Sequence, residues 1–172
     1  MEELERQSAE EAQRSGKHTV VLILDNIRSM HNVGSAFRTA DAFAAEALYL
    51  CGYTPQPPHR DIHKTALGAT ETVHWKHFAN TVDAVQNAKE QGYKIFAVEQ
   101  AHDSAMLHDF RWNGDPVALV LGNEVTGVSE EVLSLADGVI EIPQFGSKHS
   151  LNISVSLGIV LWELVRSKLN NE

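Results

Sequence analysis

At 172 residues, with 43% apolar and 22% charged side chains, the chain has the makeup of one globular domain able to bury a core without covalent staples. A single cysteine, Cys51, excludes an intrachain disulfide and a cysteine-rich zinc site, and no apolar run reaches membrane-spanning length. The net charge of −9 speaks against nucleic-acid binding through the overall field; residues 1–12, however, hold five glutamates against one arginine, so a local patch of Arg28, Arg38, Arg60, Lys64 and Lys148 stays open.

In chain order, the opening MEELERQSAEEAQRSG predicts a short acidic helix over 1–16 with Gly16 as its stop, followed by a single domain over 17–172. That start has no signal-peptide character, so a reducing, cytoplasmic location is expected. HTVVLIL (18–24) is a β-branched run that predicts a strand buried on both faces. A polar turn over 25–32 leads into VGSAFRTADAF (33–43), read as a helix, and EALYLC (46–51) is a second strand. GYTPQPPHRD (52–61) carries three prolines and predicts an irregular surface loop. TVDAVQNAKEQG (81–92) is an amphipathic helix, and YKIFAVE (93–99) and DPVALVLG (115–122) are the third and fourth strands. SEEVLSLA (129–136) is a short helix with Ser129 as N-cap, and DGVIEIP (137–143) is a fifth strand. The last helix runs through LGIVLWELVRSKL (157–169), apolar nearly all round, behind a polar lead of Ser150, Asn152, Ser154 and Ser156.

Alternating strands and helices predict an α/β domain with a parallel sheet covered on both faces. Ligands of such sheets gather where strands end. The loops in question are DNIRSMHNVGS, EQAHDS, GNEVTG and PQFGSKHS, which are also the polar, glycine-bearing segments.

Two of these loops admit two meanings each. Asn32-Val33-Gly34-Ser35 precedes a helix whose first N–H groups suit a phosphate, with Arg28 and Arg38 nearby; plain capping beside surface arginines is the reading that the local pattern alone favours. In LGNEVTG (121–127), Gly122 and Gly127 permit tight turns and close approach to an adenosine-type ligand, and Glu124 sits at the strand mouth; an ordinary loop with an exposed carboxylate is the alternative. No P-loop or GxGxxG is present, and Ser147 and Ser150 lie in no GxSxG elbow. His59/His63 and His74/His77 have helical spacings but no supporting motif, so no metal site is expected.

Together the loops resemble the motifs of the SpoU/TrmH-type RNA ribose 2′-O-methyltransferases of the SPOUT superfamily. NIRSMHNVGSAFRTADAF (26–43), LVLGNEVTGVSEEVL (119–133) and IPQFGSKHSLNISVSLGIVLWEL (142–164) stand in that family's order, and KTALGATETV (64–73) resembles its Lys–small–x–x–Gly–Ala segment. The resemblance spans residues 18–168. It implies a trefoil-knotted α/β domain (the α/β knot) that forms a homodimer and binds S-adenosylmethionine in the knot, with RNA as substrate and no metal.

By the same resemblance, cofactor contacts fall on Val98, Glu99 and Gln100, on Leu121, Gly122, Asn123 and Gly127, on Ile142 and Pro143, and on Ser150 and Leu151. The implied catalytic set is Asn32, Arg38, Glu124, Ser150 and Asn152, with Arg28, Gly34, Ser35, Lys64 and Lys148 on the RNA. Arg38 holds the place of the family's general base. A guanidinium keeps its proton in ordinary surroundings, which leaves base and electrostatic activator both open. Many relatives add a substrate-binding domain or basic terminal helices. Here a short acidic helix stands instead, so the dimer itself, or a partner protein, is expected to grip the RNA, with tRNA favoured over rRNA. The competing possibilities are an inactive knotted RNA-binding protein and an unrelated nucleotide-binding α/β protein. The intact catalytic set argues against decay.

Overall fold

A computed structural model describes residues 16–147 and 150–169; the acidic segment up to residue 15 and the Lys148-His149 pair lie outside the described residues. Seven strands form one sheet: β1 (His18–Asp25), β2 (Ala45–Cys51), β3 (His74–Phe78), β4 (Lys94–Val98), β5 (Ala105–Met106), β6 (Val117–Leu121) and β7 (Gly138–Glu141). Their spatial order is β3-β2-β1-β6-β4-β7-β5, and every pairing is parallel. The helices are α1 (Met30–Ala42), α2 (Arg60–Ala66), α3 (Ala69–Thr72), α4 (Thr81–Glu90), α5 (Glu130–Leu135) and α6 (Ile153–Leu169).

The alternation along β1 divides the core between the two faces of the sheet. Leu22 and Leu24 face one layer with Phe37 of α1 and Leu157, Val160 and Leu161 of α6. Val21 and Ile23 face the other, with Ala84, Val85 and Ala88 of α4 and Val132 of α5. Both layers exclude water, which is why the central strands β1 and β6 are apolar without interruption. The expected α/β architecture, a parallel sheet with helices on both faces, is the one observed.

Three local expectations change. Helix α1 begins at Met30, one turn before the expected start, because Ser29 caps it: the Ser29 hydroxyl accepts from the Asn32 N–H at 3.2 Å. The region 60–80 holds two short helices and the edge strand β3, none of them expected. The last helix, α6, begins at Ile153, inside the polar lead and before the expected start at Leu157, and Asn152 serves its first turn. The Asn152 side-chain oxygen accepts from the Ser154 N–H at 2.9 Å, and its carbonyl accepts from the Ser156 N–H at 2.9 Å.

Candidate functional site

The carboxyl ends of β1, β4, β6 and β7 lie side by side at the centre of the sheet, so the loops that follow them converge. After β6 the chain makes a tight hairpin in which Asn123 and Gly127 exchange backbone hydrogen bonds of 3.1 and 2.9 Å. The Asn123 amide organises this turn: its oxygen accepts from the Val125 and Thr126 N–H groups at 2.8 and 3.1 Å. Its nitrogen donates to the Asn26 carbonyl at 2.7 Å and to the Tyr53 hydroxyl at 2.6 Å. The two glycines serve this packing. A Cβ on Gly122 would strike the backbone of Gly127 and Val128, and one on Gly127, where φ is +69°, would strike the Glu99 carboxylate.

Beneath the hairpin is a cavity of about 700 Å³. Of the expected cofactor residues, Val98, Glu99, Gln100, Leu121, Gly122, Asn123, Gly127, Ile142, Ser150 and Leu151 line it, together with Glu124 and Asn152 of the catalytic set; Pro143 is not on its wall. Val125, Thr126, Val128, Leu133 and Gln144 complete much of the lining. A volume of this order suits a nucleoside-sized ligand. The wall combines apolar side chains with amides, hydroxyls and the carboxylates of Glu99, Glu124 and Glu130, a mixture that fits a polar, adenosine-bearing molecule.

At the mouth, a line of hydrogen bonds joins all three motif loops. The Asn32 amide nitrogen donates to Glu124 Oε1 at 3.1 Å, and the Asn152 amide nitrogen donates to Asn32 Oδ1 at 3.2 Å. The Arg28 N–H donates to Glu124 Oε2 at 3.4 Å, and the Ser154 hydroxyl to Asn152 Oδ1 at 2.5 Å. Asn32, Glu124 and Asn152 are thus brought together across as many as 120 residues of sequence.

Arg38 stands apart from the cavity, one and a half turns further along α1. It lines a shallow second cleft of about 400 Å³ with Ser35, Thr39, Lys64, Thr65, Ser154 and Val155. Two cations and four hydroxyls share this cleft, and no carboxylate among the described residues lines it. Gly34 does not join them. It is buried against α2, where a Cβ would lie within contact of Thr65 Oγ1 and 2.5 Å from the Ile62 carbonyl oxygen. The phosphate cradle considered for Asn32–Ser35 is also displaced: with the helix starting earlier, the Asn32 and Val33 N–H groups are already bonded to Ser29.

Three supporting groups carried no signal in the sequence. Asp25, only 4% exposed, accepts from the Thr81 hydroxyl at 2.5 Å, the Asn26 amide at 2.9 Å and the Ser129 N–H at 3.4 Å, tying β1 to the starts of α4 and α5. Thr54 is buried beneath the same loops, accepting from the Ile27 N–H at 3.0 Å and donating to the Cys51 carbonyl at 2.7 Å. Tyr53 is the third, through its bond to Asn123. Cys51 is fully buried; burial, then the neighbouring Asp25 charge, pushes its thiol from 9.0 up to about 12. His59 acts as the N-cap of α2, its Nδ1 accepting from the Asp61 N–H at 3.2 Å.

The family model described as the SpoU rRNA Methylase family matches residues 19–162. A tRNA (guanosine(18)-2′-O)-methyltransferase of Thermus thermophilus is 30% identical over 97% of this chain and 84% of its own length. A 23S rRNA (guanosine-2′-O-)-methyltransferase RlmB of Neisseria meningitidis is 34% identical over 89% of this chain, which spans 61% of that relative. Among solved structures, an AdoMet-bound rRNA methyltransferase from Sinorhizobium meliloti superposes with a TM-score of 0.81 at 28% identity, covering 90% of this chain and 59% of that one.

Proposed function

The chain belongs to the SpoU rRNA methylase family, and from that premise we propose that it transfers the methyl group of S-adenosylmethionine to the 2′-hydroxyl of a ribose in RNA. The observation that carries this reading is the hydrogen-bonded line Glu124–Asn32–Asn152, drawn between a nucleoside-sized cavity and a cationic cleft.

The cavity residues suit the cofactor, whose adenosine would lie against Leu121, Ile142 and Leu151 and against the hairpin closed by Gly127. When bound, S-adenosylmethionine supplies an electrophilic sulfonium methyl. The remaining work falls to side chains. A ribose hydroxyl is a weak acid, so negative charge developing on its oxygen needs a fixed positive partner. Arg38 provides that charge from the cleft side, with Lys64 beside it for the adjoining phosphate. Asn32 is held in one amide orientation by Glu124 on one side and Asn152 on the other, which leaves it aimed rather than free to flip. Ser150 stands on the cavity wall next to Asn152 and completes the set. Arg28 and Lys148 would extend the grip on the RNA backbone, with Ser35 donating a hydroxyl from α1.

The relatives act on both tRNA and rRNA. Within the RNA class we favour tRNA, because the chain spans 84% of the tRNA-modifying relative and 61% of the rRNA-modifying one. A knotted threading and a homodimer belong to the same reading. α6 presents Val155, Ile159 and Trp162 on one face, 49%, 37% and 51% exposed, an apolar row suited to cover by a second copy. A metal-free reaction, a single domain over 17–172 and a cytoplasmic setting complete it; no described helix is long and apolar enough to cross a membrane.

The deciding experiment is transfer of tritiated methyl from S-adenosylmethionine to total RNA from a strain lacking the gene, followed by mapping of the modified nucleotide. Label on a ribose 2′-oxygen is expected. Label on a base, on protein, or nowhere despite cofactor binding would overturn the reading.

A further inference from the structure

Tyr53 belongs to no motif, yet it is among the best-anchored exposed side chains at the site. The residue is 56% exposed. Three contacts fix it. The backbone N–H donates to Asn26 Oδ1 at 3.2 Å, the hydroxyl accepts from the Asn123 amide at 2.6 Å, and the Arg28 guanidinium lies over the ring, 5.9 Å from its centroid. Both neighbours belong to the site: Asn123 lines the cavity, and the Arg28 N–H reaches Glu124.

Proteins that recognise RNA mostly take the unstacked nucleotides of loops and ends, and a base splayed out in this way needs a surface to replace its lost neighbours. Aromatic rings and guanidinium planes are the surfaces proteins use for this, and a ring already held in place loses little freedom when a base settles on it. On the methyltransferase reading above, we infer that Tyr53 and Arg28 form a stacking shelf for the nucleobase whose ribose enters the site. A bare π-face accepts every base, so this shelf anchors the nucleotide without selecting it.

Steady-state methylation of bulk tRNA separates the shelf from a purely structural tyrosine. Tyr53→Phe keeps the ring and loses the bond to Asn123; Tyr53→Leu keeps apolar bulk and loses the π-face. The expected pattern is a KM for RNA near wild type in Y53F and raised roughly tenfold in Y53L, the effect of one lost stack, with kcat within about twofold. Calorimetric binding of S-adenosylmethionine should be unchanged in both. A wild-type KM in Y53L overturns the shelf, as does an equal loss in Y53F or a parallel loss of cofactor binding, either of which makes Tyr53 a support for Asn123. Photo-cross-linking of the wild-type protein to a short random-sequence RNA containing 5-iodouridine gives a readout independent of turnover. Attachment at Tyr53 is expected, and attachment elsewhere alone overturns the proposal. If the wild type binds cofactor but methylates no RNA, the substrate reading falls, and the cross-link still decides the shelf.

Discussion

Arg38 lines the second cleft, whereas Glu124 and Asn152 line the cavity, and this separation makes the roles proposed for them testable one at a time. Arg38 lines the cationic cleft and not the cofactor cavity, so Arg38→Ala should lower methyl transfer at least a hundredfold, on the order of losing one preorganised charge-stabilising group, while S-adenosylmethionine affinity stays within about twofold. Transfer rate and calorimetric affinity measured on the same preparation check this; activity at the wild-type level would remove Arg38 from the mechanism. Cys51 makes a separate prediction from burial. Its folded pKa of about 12 stands above its ordinary value, so its contribution to stability is complete below pH 9 and is lost as pH rises through 12. At pH 8 the native thiol should resist a disulfide reagent such as DTNB and react only on unfolding. Rapid reaction of the folded protein would contradict the packing around β2.

At the level of elements, the interface between α1 and α2 sets the distance between Arg38 and Lys64, and at Gly34 that interface leaves no room for a Cβ. Gly34→Ala brings two opposing effects. Alanine gains about 1 kcal/mol of helix propensity, while overpacking a close helix contact costs about 1–3 kcal/mol. Thr65 can turn its hydroxyl away, but the Ile62 carbonyl is backbone and cannot, so the cost wins. A net loss of about 1 kcal/mol or more is expected in the urea midpoint, without any RNA present; a stabilised variant would return Gly34 to a ligand-facing role. The same elements explain what the sequence could and could not announce. Strands β1 and β6 were legible because water is excluded from both faces, which demands an unbroken apolar run. Strand β3 reads HWKHF at an edge, exposed at three of five positions, and β5 spans two residues; neither carries a period. The site loops were legible because glycines and polar residues follow the strands directly. Tyr53 and Asp25 were not, since the partners that give them meaning lie 70 and 104 residues away.

For the whole molecule, the charge poses the sharpest constraint. A chain with a net charge of −9 repels RNA at long range, so affinity has to come from a few local cations: Arg38 and Lys64, which line the cleft, and Arg28 and Lys148, to which the proposed function gives a share of the RNA. Arg38 and Lys64 line the same cleft with no carboxylate from the described residues on its wall, an arrangement that keeps their charge available to a phosphate. Counterion release from an unpaired RNA strand scales at about 0.7 per phosphate neutralised, so four such contacts predict a slope near −3 for log K against log salt concentration. Fluorescence anisotropy of a labelled single-stranded RNA, titrated at a series of potassium chloride concentrations, measures it directly. Lys64→Ala should then reduce the slope by a little under one unit and weaken binding to all sequences alike, because a phosphate contact carries no base information. A slope twice as steep would mean that cations beyond these four carry the RNA. A slope near zero would mean that stacking, not charge, holds it.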